Sequence, residues 1–463
     1  MKKLGILVLI FIPFLAHPQT LAQKIKLRYQ VFTNQISLKQ ASFSFTVLDA
    51  NTGIVVFASD PNRGLVPAST LKVLTSATAL KLLGENFTFK TDITYTGSIV
   101  NQILEGNLII KGNGDPTLGS NRWERTNKPH VLQAILQSLQ KMGIKKINGK
   151  IIADDSAWDT QSLPNSWIWQ DIGNYYGAST SALCWGENQF KLSVVPGKTV
   201  GATVGLANKF DYPFLNIINE VETGVVNSGD KVYAYSAPYT PLIYLRGTYG
   251  INLKKEIGLA LPDPALAMAY DLQNFLAKNE IRVNDITTTR ISEPSLKSFV
   301  NATNLLTLVS PPLKEIVYQL NQKSINLYAE QLLRTLAFTK GKSASFEEGI
   351  KIISGEWKTS ITPASLNIYD GSGLSPANRV TTLAMATVLY QAQKQPWFSA
   401  FHQSLPINNN QKMKSGTVAD VLAYAGYQKN ANNNLCFSVM VNNYSGSETA
   451  MRQQLFNLLD VLK

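Results

Sequence analysis

The two ends of this chain are patterned alike and its middle is not, and that contrast limits the possible folds more than any single residue does. From Ser42 to Ala58 apolar residues alternate: Phe43, Phe45 and Val47 share one face, Asn51-Thr52-Gly53 makes a turn, and Ile54 to Phe57 return, predicting a hairpin. Val418 to Tyr427 and Leu435 to Asn442 read as antiparallel strands, followed by a closing helix from Glu448 to Leu462. Between them, Phe89 to Asp155 mixes strands with a helix from Pro129 to Met142, and Phe190 to Thr248 holds only short β-like runs punctuated by Gly and Pro. Asp263-Pro264 has the form of an N-cap and first-turn pair that starts another helix, after which long helical patterns return. Strands from both ends are therefore expected to share one sheet. The expected organisation is α+β, with residues 23–90 and 262–463 forming one domain. Residues 91–261 would be inserted in it, with a β-rich subdomain at about 190–250.

Met1-Lys2-Lys3, the apolar run Leu4 to Leu15 and the small-residue pattern Thr20-Leu21-Ala22 predict a signal peptide spanning residues 1–22, cut after Ala22. The apolar run is too short to span a bilayer stably, so an exported protein, periplasmic or extracellular and soluble after cleavage, is expected. A formal charge of +12 then points to acidic envelope polymers, including peptidoglycan peptides with free carboxylates, and away from nucleic acid. Lys and Arg are scattered, so a plain solvated positive surface stays open. The only cysteines, Cys184 and Cys436, lie 252 positions apart in apolar surroundings, which admits one bridge or two separately buried thiols.

Histidine is scarce: His17 falls in the signal peptide, and His130 and His402 sit in no triad or metal-ligand spacing. A serine nucleophile here needs another base, and neither a metal nor a cofactor is expected. Ser69-Thr70-Leu71-Lys72 opens a predicted helix with Leu71, Leu74, Thr75, Thr78 and Leu82 on one side and Gly84 at its end. At i and i+3 the hydroxyl and the amine share a face, and the helix N-terminus favours developing negative charge. The pattern recurs at Ser138-Leu139-Gln140-Lys141, taken as structural. Ser324-Ile325-Asn326 falls between helical patterns from Pro311 to Gln322 and Leu327 to Phe338, and Lys414-Ser415-Gly416-Thr417 opens a strand; Ser365-Leu366-Asn367 is a decoy for the former.

In this order the three motifs resemble the active-site set of the penicillin-recognising serine enzymes. Gly112 to Leu118, Ser181-Ala182-Leu183 followed by Glu187-Asn188, Asn326 to Glu330 and Asp370-Gly371-Ser372-Gly373-Leu374-Ser375 look like the class C low-molecular-mass penicillin-binding proteins, the D-Ala-D-Ala carboxypeptidase/endopeptidase family. The resemblance covers nearly the whole mature chain. It implies a transpeptidase-like domain, an antiparallel sheet with helices on both faces, interrupted by a large α+β insertion carrying a smaller β subdomain. In that family an insertion separates the first two motifs, and here Ser69 and Ser324 are 255 positions apart.

What the resemblance implies is an acyl-enzyme on Ser69, with Lys72 as base, Ser324 relaying a proton and Asn326 holding Lys72 and the substrate backbone. Desolvation and a second cation, Lys414, would lower the basicity of Lys72, and Lys414 with Ser415 and Thr417 would receive the substrate carboxylate. Gly416 lets the strand approach the scissile bond. Asp171 and Tyr176 look like the subsite for the amino acid preceding D-alanine, or else a solvated acid beside core aromatics. β-Lactams would acylate the same serine. Two departures stand out: Pro376 occupies a place where the family usually has Arg, the nearest here being Arg379, and only 43 residues separate Asp370 from Lys414. They keep open a catalytically weak scaffold that binds cell-wall peptide, and a β-lactamase or esterase is a third reading. The residues leave oligomeric state and the carboxypeptidase-to-endopeptidase balance open.

Overall fold

The alternating ends do meet. In the computed structural model, which describes residues 19–207, 212–290, 301–431 and 433–463, Ser42–Asp49 pairs antiparallel with Asn434–Asn442 along its whole length. Val55–Ser59 lies on its other edge, and Val421–Lys429, Gln411–Val418 and Ile407–Asn408 complete a six-stranded sheet. Alternation sends Phe45 and Val47 to one face, where they pack with Phe437 and Val439 under the helices Leu21–Thr33 and Glu448–Leu459. Leu48, Ala423 and Ala425 face the opposite side, against the helices Leu71–Leu83, Leu313–Lys323 and Thr382–Ala392. The predicted apolar leader from Leu4 to Leu15 and His17 lie outside the described residues.

A second core belongs to the insertion. Its sheet runs Thr303–Val309, Lys90–Tyr95, Leu108–Lys111, Lys146–Asp154, with Ile103–Glu105 and Ser98–Val100 beyond and Arg282–Thr288 parallel to Lys146–Asp154. The helix Pro264–Lys278 is capped by Asp263, which accepts from the Leu266 N–H at 3.0 Å, and it buries Met268, Leu272 and Leu276 in this core. The domain boundary expected at 262 is therefore corrected. Pairing of Arg282–Thr288 and Thr303–Val309 keeps the chain in the insertion, and it rejoins the first layer only at Leu313. A three-stranded sheet of Asn216–Gly224, Leu242–Gly250 and Asp230–Tyr235 forms the β-rich part.

The helix Asn326–Phe338 joins the two bodies through polar side chains. Gln331 Nε2 donates to the carbonyls of Gly114 and Ser181 at 3.0 and 2.9 Å, and the Tyr328 hydroxyl donates to Glu187 at 2.9 Å. Gly112 is needed at this junction, because a Cβ there would stand 2.3 Å from the Ala182 carbonyl oxygen. Cys184 and Cys436 are two separate, buried free thiols.

Candidate active site

Ser69 lies in a short 3-10 turn, Ala68–Thr70, immediately before the helix Leu71–Leu83. That turn is tight. Ala68 has φ +45°, a left-handed conformation costing an L-residue about 1–2 kcal/mol, and a neighbouring glycine at each side makes room for it. A Cβ on Gly373 would sit 1.9 Å from the Ala68 carbonyl oxygen. One on Gly416 would sit 2.6 Å from the Pro67 oxygen and 2.8 Å from the nitrogens of Ser69 and Thr70. Where a close approach of Gly416 toward substrate was expected, the glycine closely approaches the Ser69 turn.

The helix that follows is not amphipathic, as its spacing predicted, but buried continuously from Leu71 to Leu80. Its polar side chains bond internally: Ser76 and Thr78 donate to carbonyls one turn back, and Thr75 donates to Gly371 at 2.6 Å. Lys72 is fully buried in this setting. Its Nζ lies 2.9 Å from Ser69 Oγ, 2.6 Å from Asn326 Oδ1 and 2.7 Å from the Ser372 carbonyl. Burial brings its pKa down to about 7, with Asp370 and Glu330 pulling in the opposite direction. A neutral amine has two hydrogens and one lone pair. With both hydrogens given to Asn326 and Ser372, the lone pair is left for the Ser69 hydroxyl.

Ser324 terminates the helix Leu313–Lys323 at φ +55°, the tight inter-helix connection that its motif predicted, and it lines the cleft with Ser69 and Asn326. Lys414 lies inside the strand Gln411–Val418, not at its start, almost wholly buried with its Nζ 2.8 Å from the Ser415 carbonyl. Its pKa falls well below the lysine range, first through burial and then through Lys72. The two amines repel each other, and burial is the largest cause of the depression at both. Thr417 lines the cleft of about 540 Å³, whereas Lys414, Ser415 and Gly416 are not among its lining residues.

The insertion supplies the opposite wall. Asn326 Nδ2 donates to the Tyr176 carbonyl at 2.8 Å, so the asparagine that holds Lys72 also anchors this loop. Asp171 and Tyr176 are joined side chain to side chain and both line the cleft; burial raises the carboxyl of Asp171, and the Tyr176 hydroxyl opposes that rise. Pro376 lines the cleft too, while Arg379 is held on the carbonyls of Pro376 and Asn378, at 2.8 Å each.

Two buried carboxylates had no assigned role in the sequence reading. Glu330 accepts from the N–H groups of Gly371 and Ser372, at 2.9 and 2.8 Å, and burial followed by the nearby Asp370 raises its pKa to about 8. Asp370 accepts from Trp167 Nε1, the N–H groups of Gly373 and Ser375, and Asn378 Nδ2, all within 2.9 Å. Together they shape the glycine-rich loop so that the Ser372 carbonyl meets Lys72. The only signal for them was their place in conspicuous motifs. The decoys have plain structural roles: Ser138 donates to Ala134 within its helix, and Ser365-Leu366-Asn367 forms a 3-10 turn and a short strand.

Comparison with known proteins gives the family and the fold. The pattern of the D-Ala-D-Ala carboxypeptidase 3 (S13) family matches residues 28–461. The chain is 25% identical over 446 residues to the D-alanyl-D-alanine carboxypeptidase of an Actinomadura species, covering 89% of this chain and 79% of that one. It is 26% identical over 436 residues to the D-alanyl-D-alanine carboxypeptidase DacB of Haemophilus influenzae, covering 88% and 86%. The crystal structure of penicillin binding protein 4 from Haemophilus influenzae matches the fold with a TM-score of 0.77 at 24% identity, over 93% of this chain and 97% of the other. A penicillin-binding fold with an inserted α+β domain, matched from one end to the other, makes this chain a member of the D-Ala-D-Ala carboxypeptidase 3 (S13) family.

Proposed function

We propose that the protein hydrolyses the D-alanyl peptide bond of peptidoglycan stem peptides, as a D-Ala-D-Ala carboxypeptidase, a DD-endopeptidase or both, through an acyl-enzyme on Ser69. One observation carries this reading: a buried amine 2.9 Å from the Ser69 hydroxyl, with carbonyl acceptors for both of its hydrogens. Lys72 takes the Ser69 proton as the oxygen attacks the carbonyl carbon. The N–H groups of Ser69 and Thr417 hold the oxyanion, a contribution of roughly 3–4 kcal/mol when donors are preorganised. Ser324 passes a proton to the leaving amine, Asn326 fixes Lys72 and the substrate backbone, and water then releases the acyl group.

Lys414, Ser415 and Thr417 receive the terminal carboxylate. Asp171, oriented by Tyr176, takes an ammonium on the residue before D-alanine. A β-lactam, presenting a carboxylate beside a strained amide, enters the same way and acylates Ser69. We further propose that the protein is exported and cut after Ala22. Such a cut would remove the Thr20 cap of the first helix but leave Ile25, Tyr29 and Phe32, which bury it.

Digestion of defined muropeptides, with products read by mass, tests the activity. Loss of terminal D-alanine marks a carboxypeptidase and scission of cross-linked dimers an endopeptidase, and Ser69→Ala abolishes both. A folded protein that binds these peptides without product would instead be a scaffold, and rapid turnover of penicillin would mark a β-lactamase.

A further inference from the structure

The nucleophile's cleft does not end at the insertion. Tyr175, Tyr176 and Tyr233 line it, and the same three residues line a second cavity of about 810 Å³. That cavity shares Lys254, Lys255 and Glu256 with a third, of about 440 Å³. The three spaces are thus neighbours, sharing walls from the Ser69 cleft across the β-rich part of the insertion.

Its walls are built and its charge is one-sided. Tyr175 and Tyr233 present exposed rings. Gly258 lies under Tyr175, where a Cβ would crowd the ring at 3.2 Å, and Asn174 ties the segment before the tyrosines to Gln170 and to the Ala234 N–H. Four lysines line the second cavity against two acids. Glu256 is paired with Lys191 at 3.3 Å, whereas Lys231, Lys254 and Lys255 have no carboxylate partner within ion-pair distance among the described residues. The cleft around Ser69, by contrast, contains Asp171 and no lysine or arginine in its lining.

We infer that this lysine-lined groove is an extended subsite for the anionic upstream part of the stem peptide, with its free glutamyl carboxylate held among Lys231, Lys254 and Lys255. The inference rests on the proposed function for its direction. The substrate's terminal carboxylate lies toward Lys414 and the residue before D-alanine lies at Asp171 and Tyr176, so the chain continues past Tyr176 into the groove. Tyrosine rings offer flat contact surface there, and unpaired ammonium groups attract a carboxylate in a salt-dependent way.

The test uses two stem pentapeptides that differ in one group, the glutamyl α-carboxylate free or amidated. Their affinities are measured on the Ser69→Ala protein, with and without the combined substitutions Lys231→Ala, Lys254→Ala and Lys255→Ala. Binding of the free acid should be about tenfold tighter than that of the amide at low salt, and the lysine substitutions should level the two. Equal affinity for both peptides, or an equal loss on both, would overturn the subsite. Hydrolysis by the unsubstituted protein reports separately on the proposed function. Acylation by benzylpenicillin, which is too short to reach the groove, should be unchanged by the lysine substitutions in the Ser69-containing protein.

Discussion

Lys72 should impose a rise in acylation rate with pH, centred near neutrality. An amine lowered from 10.5 to about 7 has lost about 5 kcal/mol of preference for its charged form, at about 1.4 kcal/mol per pH unit. At pH 7 roughly half of it is neutral, roughly 1,000-fold more than for an unperturbed lysine. Below that value the amine is protonated, no lone pair faces Ser69, and the rate should fall about tenfold per pH unit; above it the rate should level off. Stopped-flow acylation by a fluorescent penicillin from pH 5.5 to 9 measures this, with Lys72→Ala expected to lose roughly 100-fold or more at neutral pH. Stability gives an independent reading. The unfolded chain binds the Lys72 proton more tightly than the native one, so the burial penalty is fully present below about 7 and is relieved as pH rises toward 10.5. Unsubstituted protein should therefore gain on Lys72→Met by about 1.4 kcal/mol per pH unit above 7. An acylation rate still climbing about tenfold per pH unit at pH 9, or normal acylation by Lys72→Ala, would refute the assignment of the base.

Gly416→Ala forces a methyl to within 2.6–2.8 Å of the backbone of the nucleophile turn; a stability loss of about 1–3 kcal/mol and a large loss of acylation are expected from thermal melts and penicillin labelling. Glu330→Ala strips the Gly371 and Ser372 N–H groups of their buried acceptor, costing about 1–3 kcal/mol for each group left unpaired and slowing acylation as the Ser372 carbonyl drifts from Lys72. Full acylation in a destabilised Glu330→Ala protein would separate that loop from catalysis. Asn326→Ala removes both an acceptor of Lys72 and the tie to the Tyr176 carbonyl, so it should slow acylation and also weaken peptide binding, seen as a lower kcat with a raised KM. Mass measurement of secreted protein should find Gln23 as the first residue; an intact Thr20 would move the cut.

The first strand was legible because Ser44 and Thr46, on the face opposite Phe45 and Val47, are polar and bond the Thr382 hydroxyl, which preserves a clear alternation with Phe43, Phe45 and Val47. The meeting of Ser69 with Lys72 and the turn at Ser324 were legible because each rests on local geometry: one helical turn, and one tight connection between helices. The limit at 262 was misread because Arg282–Thr288 and Thr303–Val309 pair with strands far away in sequence, and no local pattern names a strand's partner. The Ser69 helix was expected to bury one side, Leu71, Leu74, Thr75, Thr78 and Leu82; it is buried all round because Lys72, Thr75, Ser76 and Thr78 each find a partner inside the protein. Glu330 and Asp370 work through backbone N–H groups, which every residue carries, so no side-chain spacing announces them. That burial would be the largest cause of the Lys72 shift could not be weighed against Lys414 from spacing alone, since burial is a property of the assembled core.

The central claim is that the Ser69 oxygen becomes covalently acylated. Benzylpenicillin should add its full mass to the intact protein, and digestion should place that adduct on the peptide containing Ser69, with none on Ser69→Ala. An adduct on another residue, or a folded and unmodified protein after prolonged exposure at pH 8, would contradict the account.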